Sequence, residues 1–170
     1  MGILTGDPKE QPLHYGEVFG MWSYLAVAKG NYTRYQTFMN HAGDKELKKL
    51  LEELIEGIKH ESESIEEILK TNGIALPPSA PERSNATLED IPVGARFNDP
   101  EVSAQVSADL SLGLVACSQV IGQCTREDVA MMFGQFHMNK AQAAAKALRL
   151  NKEKGWLVTP PMHTKVPEPV

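Results

Sequence analysis

Apolar residues return at three- and four-residue intervals through most of the chain, and the rhythm breaks at a few punctuated places. The clearest run is GDKELKKLLEELIEGIKHESESIEEILKTNG, in which Leu47, Leu51, Leu54, Ile58, Ile65 and Ile68 fall on one stripe while Glu and Lys cover the opposite side. Asp44 suits the N-cap, Gly73 the C-terminal stop, and Lys48–Glu52, Lys49–Glu53 and Glu66–Lys70 are spaced for i,i+4 pairing. An amphipathic helix of about eight turns is expected. Before it, LHYGEVFGMWSYLAVAKGNYTRYQTFMNHAG places Met21, Leu25, Ala28, Tyr32, Tyr35 and Met39 on one stripe, and the short break at Ala42-Gly43 makes the pair antiparallel.

A second pair follows. Asp99 reads as an N-cap followed by Pro100 at the first helical position, and Val106, Leu110, Gly113, Cys117, Val120 and Cys124 form the third stripe. The fourth helix starts near Thr125, a capping residue, with Glu127 and Asp128 complementing its positive end and Lys152 and Lys154 its negative end. After Gly155 the residues 156–170, WLVTPPMHTKVPEPV, are too rich in proline for a helix and read as an extended tail.

Between the hairpins lies GIALPPSAPERSNATLEDIPVGARFNDP, with five prolines and no helical period. So long a connection inside one domain needs a geometric reason. A helix of about 28 residues is roughly 42 Å long, whereas about 25 extended residues reach roughly 80 Å, so residues 74–98 can run the length of a bundle. Such a crossover sets the third helix parallel to the second. Ile74, Leu76, Leu88, Ile91, Val93 and Phe97, spread through it, suggest a segment lying on the helices and not a free linker. The expectation is an all-α, ferritin-like four-helix bundle, two antiparallel hairpins joined by a long crossover, occupying residues 1–170 as one domain.

Composition narrows the function classes. A chain of 170 residues can bury about two-thirds of its unfolded surface. Its 42% hydrophobic and 23% charged residues include no run of the roughly 18 consecutive apolar residues that a membrane span requires. The start, MGILTGDPKEQP, lacks the basic and apolar regions of a signal peptide, and Gly6 stands where N-myristoylation wants Ser or Thr, so cytoplasmic synthesis is expected. A net charge of −5 without a basic face argues against nucleic acid as a partner. Cys117 and Cys124 lie about 10 Å apart along one helix, too far for a disulfide with each other, and read as small buried residues.

The strings HYGEVFGMWSYL, AGDKELKKLLEELIEGIKHE, NGIALPP, REDVAMMFGQFH and KEKGWLVTPP, in that order and spacing, resemble an uncharacterised family of ferritin-like helical proteins from endospore-forming bacteria, distantly related to the spore coat protein F group. The resemblance spans residues 4–163. Some members carry two copies of the unit where this chain has one. The family's customary label of spore coat protein is an inherited name, so the resemblance implies an association with sporulation, with other spore coat proteins as partners, and no chemistry.

Bundles of the ferritin type often hold two metals on a carboxylate from each of two helices and a Glu-x-x-His from each of the others. Glu61 continues the Leu54, Ile58, Ile65 stripe, so its carboxylate should face the core, where it needs a partner. Ser64 stands where the motif wants histidine, and His60 is rotated about 100° away. On the fourth helix His137 sits at a plausible depth, but Gly134 replaces the glutamate. The residues therefore favour a buried polar cluster of Glu61 with His137 or Lys140, in which Asp109 competes for Lys140, over an iron, manganese or zinc site on Glu61 and His137. His14 and Glu17 fit a solvated first turn, and Met131, Met132, Phe133, Phe136 and Met138 fit adaptable packing. There is no phosphate loop, nucleophile elbow or readable Cys–His pair.

Two readings of function follow. The leading one is a non-catalytic structural or interaction protein, associated with the spore coat, assembling through Trp22, Phe133, Trp156 and the tail; the excess of aromatic residues on the first helix makes a homodimer plausible. The alternative is a metal-binding oxidoreductase or storage bundle with a degenerate site. A small-molecule pocket between helices is a third option that the residues leave open.

Overall fold

The computed structural model describes residues 6–163; residues 1–5, part of the start read above for export signals, and the last stretch of the tail, 164–170, lie outside the described residues. Four long helices run from Tyr15–His41 (α1), Lys45–Thr71 (α2), Asp99–Gln123 (α3) and Glu127–Glu153 (α4), and no strand occurs among the described residues. After Gly155 the described residues 156–163 carry neither helix nor strand. α1 packs along α2 and α3 along α4; the Asp99 end of α3 touches the α1–α2 turn, and its Gln123 end touches the start of α1. α3 is therefore parallel to α2, and the connection between them travels the full length of the bundle.

The core is one cluster drawn from all four helices, with Met21, Leu25, Leu51, Ile65, Val106, Cys117, Val129 and Phe133 fully buried. At its centre Tyr24 meets Phe133 edge-on at 5.1 Å between ring centroids, and Phe133 meets Phe136 at 5.4 Å. By length and apolar content alone the segment Val93–Gln123 would suffice to cross a membrane. Within the bundle, however, α3 turns Val102, Val106, Leu110 and Val120 onto the core and engages Ser103 and Asp109 in interior hydrogen bonds.

Both hairpins end in the same way. Gly73 and Gly155 adopt left-handed backbone (φ 71° and 70°), which lets the next amide reach back five residues: Ile74 N–H to Leu69 O at 2.9 Å, and Trp156 N–H to Asn151 O at 2.9 Å. Ile74 and Trp156 then pack on the core. Trp156 is thus the hydrophobic close of a helix stop rather than the free surface residue expected from the sequence.

The crossover lies along α1 and is pinned chiefly by polar side chains of that helix. Trp22 Nε1 donates to Ala75 O (2.9 Å), Lys29 Nζ to Pro77 O (3.0 Å) and Tyr32 Oη to Glu82 (3.2 Å). Further on, Gln36 accepts from Arg83 N–H (2.9 Å), Asn40 bridges Ser84 O and Ala86 N–H (3.0 Å each), and His41 Nδ1 accepts from Phe97 N–H (3.0 Å). Of the apolar anchors expected, Ile74 and Leu76 pack on the core and Phe97 meets Phe38 edge-on, but Val93 is 78% exposed. Trp22 and Tyr32 face the strap, which accounts for aromatics on a second side of α1; Phe19 stays 73% exposed.

Two helix starts differ from expectation. Asn98, not Asp99, caps α3, exchanging backbone and side-chain bonds with Glu101. Asp99, freed from capping its own helix, accepts from the amides of Gly43 (2.8 Å) and Asp44 (3.0 Å) in the α1–α2 turn. Thr125 caps nothing. The amides of Thr125 and Arg126 donate instead to Glu17 Oε1 at 2.7 and 2.8 Å, while Glu17 Oε2 accepts from His14 N–H at 3.0 Å. His14 and Glu17 are therefore no solvated first turn: Glu17 is 1% exposed, and His14 Nδ1 accepts from Gly16 N–H while its Nε2 donates to Gln123 O.

Burial opposes the charge on Glu17, but the amides of Arg126, His14 and Thr125 outweigh it and hold its pKa below the ordinary 4.5. A depressed carboxylate contributes stability that is full above the ordinary value and is lost as pH falls through the lower native one. Glu17→Gln should lower stability by about 2 kcal/mol near neutrality, in the range of hydrogen bonds to a charged group. In urea titrations from pH 7 to pH 3 the gap between variant and wild type should narrow at the acid end; a gap independent of pH would show that the charge of Glu17 is immaterial.

Candidate interior polar site

Glu61 projects inward from the middle of α2, where a carboxylate interrupts the series Ile58 and Ile65. It is 5% exposed and fully engaged: Lys140 Nζ of α4 lies 2.9 and 2.8 Å from its two oxygens, and Tyr24 Oη of α1 donates to Oε2 at 2.8 Å. The Cys117 thiol of α3 completes the chain of contacts, 3.6 Å from Tyr24 Oη, so every helix supplies one member. Lys140 Nζ also sits 5.7 Å from the centre of the Tyr24 ring. Gly113 of α3 gives that lysine its room, since a Cβ there would come within 2.9 Å of Lys140 Cδ.

Burial, reinforced by the Glu61 charge, pushes the Tyr24 hydroxyl far above its ordinary range, and burial likewise raises the Cys117 thiol. Both act as donors in this chain of contacts. Nearby Cys124 is pushed up to about 11 by burial and the Glu17 charge. Both cysteines are free thiols.

The structure separates the members of the expected cluster. Lys140 joins Glu61, but His137, one position past the inward Phe136, makes no polar contact with it; the hydroxyl of Tyr24, which sequence reasoning did not single out, takes that place. Asp109 does not pair with Lys140. It receives Arg34 Nη2 of α1 at 2.7 Å and Gln105 Nε2 at 3.0 Å, and Tyr35 beside it is raised by burial and by the Asp109 charge. Phe133 is wholly buried and so offers no interaction surface, and Trp22, 36% exposed, is tied to the crossover.

These residues do not fit the metal pair that such bundles often carry. An ammonium already occupies both oxygens of Glu61 and would repel a cation, and among the described residues no three His, Cys, Asp or Glu side chains gather as ligands. What the arrangement does is hold four helices in register around a salt bridge whose hydrogen bonds are complete. Such a pair need not add net stability, yet removing one partner strands the other.

The fold and its interior thus define a crossover four-helix bundle centred on an internal lysine–glutamate pair. The chain belongs to the family described as "Protein of unknown function (DUF3231)", which matches residues 1–168. It is 56% identical over 163 residues to the uncharacterised protein YvdQ of Bacillus subtilis, covering 96% of both chains. A crystal structure named "putative spore coat protein", from Bacillus halodurans C-125, superposes with a TM-score of 0.92 at 55% identity, covering 94% of this chain and all of that one. A conserved hypothetical protein of Mycobacterium tuberculosis shares the fold at 12% identity, with a TM-score of 0.67 over 82% of this chain and 99% of that one.

Glu61→Leu or Lys140→Met alone should each cost about 3 kcal/mol in urea unfolding, and the double variant much less than their sum. Simple additivity would mean that the pair is not coupled.

Proposed function

We propose that this protein is a non-catalytic structural component of the bacterial spore coat, made in the cytoplasm and assembled with other coat proteins. The observation that carries the non-catalytic part is the Lys140 ammonium seated on Glu61, at the depth where a bundle enzyme would need open ligands. The spore association is supported by the near full-length likeness to the Bacillus halodurans protein and the name it bears. Assembly would use apolar groups left uncovered: Met131 and Met138, two turns apart on α4 and 76% and 54% exposed, together with Val158 and Met162 on the extended segment.

Mature spores of the parent bacterium, fractionated and probed with an antibody, should hold the protein in the detergent- and reductant-extracted coat layer. Recovery only from the decoated core would defeat the assignment. Elemental analysis of protein purified without chelators should find iron, manganese and zinc well below one per chain, and a stoichiometric metal that disappears in Glu61→Gln would overturn the non-catalytic reading.

A further inference from the structure

α4 turns one side to the core, where Val129, Phe133, Phe136, Ala147 and Leu150 are buried. The side facing water should then be polar, as the Glu- and Lys-covered outer side of α2 is. It is not. Met131, Gly134, Met138, Ala141, Ala145 and Leu148 follow one another at alternating steps of three and four, the spacing of a coiled-coil seam, and none of them is charged. Met131, Met138 and Leu148 are 76%, 54% and 45% exposed, and Ala141 and Ala145 are exposed as well. The helix thus carries a second apolar seam that the described residues leave largely uncovered. Gly134 fits the same use. Glycine weakens a helix interior, and close packing is the usual compensation. Within the chain a Cβ at Gly134 would meet nothing within 4 Å, so the room it leaves lies on the outside, where another helix can come near.

Charge and register select the occupant. A twofold axis crossing α4 between Asn139 and Lys140 runs two copies antiparallel and sets Met131 against the partner's Leu148, Gly134 against the partner's Ala145, and Met138 against the partner's Ala141. Every apolar position on the seam finds an apolar mate. At both ends the same axis sets Glu127 against the partner's Lys152. Both residues are exposed, and neither is paired among the described residues of its own chain. A parallel pair would instead bring each of these charges against its like and stack glycine on glycine, which repels at the ends and leaves a gap between them.

We propose that the outer face of α4 is a homodimer interface, in which two copies pair antiparallel along the Met131–Leu148 seam and Glu127 and Lys152 close its two ends. This names a second copy as the partner for the α4 part of the assembly surface above, and it rests on that reading only in giving that surface a use; the coat location does not enter.

Sedimentation equilibrium of the purified full chain, from about 1 to about 200 µM, should show a shift from monomer to dimer. Met138→Glu should keep the helical circular dichroism and raise the dimer dissociation constant about tenfold or more, with Ala141→Glu as the alternative if the first variant fails to fold. Glu127→Lys and Lys152→Glu should each weaken the dimer, and an equimolar mixture of the two should recover it. Cross-linking reads the sense of pairing. Mild oxidation of a Met131→Cys chain mixed with a Leu148→Cys chain should give a disulfide-linked dimer above the wild-type background. Either chain alone should not, because two copies of the same position stand about 25 Å apart along the antiparallel pair, beyond the reach of a disulfide. A wild-type chain that stays monomeric at the highest concentration, undiminished dimerisation of a folded seam variant, no recovery in the charge-swapped mixture, or cross-linking of the mixed chains no greater than of the single ones would each overturn the proposal. None of these outcomes bears on the coat assignment, which the spore fractions decide.

Discussion

Backbone amides in a turn need acceptors, and in this bundle the turn of each hairpin is served by a carboxylate from the other. Glu17 of α1 accepts from Thr125 and Arg126 in the α3–α4 turn, and Asp99 of α3 accepts from Gly43 and Asp44 in the α1–α2 turn. The two contacts lie at opposite ends of the bundle. Together they prevent the hairpins from sliding or splaying at the ends, so the spacing between their middles is set by what stands there, the Tyr24–Glu61–Lys140 group. The cavity of about 820 Å³ between the hairpins is what that spacing leaves over.

With both ends fixed, the connection from α2 to α3 must run the whole length of the molecule with only two short 3-10 turns, Leu88–Asp90 and Val93–Ala95, to satisfy part of its backbone locally. α1 supplies the missing partners at successive levels, Trp22, Lys29, Gln36, Asn40 and His41. The same helix therefore carries three kinds of surface: an inward stripe, a polar-aromatic track under the strap, and the face toward α3. A helix with so many obligations cannot show a clean two-sided pattern, and α2, free on its outer side, does.

That difference explains what could be read from the residues. The four helices, the parallel setting of α2 and α3, and the inward aim of Glu61 follow from period and chain reach. Lys140 was legible for the same reason, since it falls on the apolar stripe of α4. His137 lies at the right depth, which residue counting along a helix gives securely, but not at the right rotation, and the inward place beside it belongs to Phe136. Asp109 reads from the sequence only as a competing partner for Lys140, because nothing in a single stripe tells which neighbouring helix it faces; the side of α3 bearing Asp109 meets Arg34 of α1. Glu17 was the hardest case. Its local spacing to His14 fits a capping box, which is present, but the amides that bury it lie more than a hundred positions away.

The crossed carboxylates also order events in time. The contacts within each hairpin join residues near in sequence, whereas Glu17 reaches Thr125 across 108 positions and Asp99 reaches Gly43 across 56. Chain entropy delays such closures. Each hairpin can zip early with its turn amides still hydrated, and the latching of the two turns then closes the longer loops.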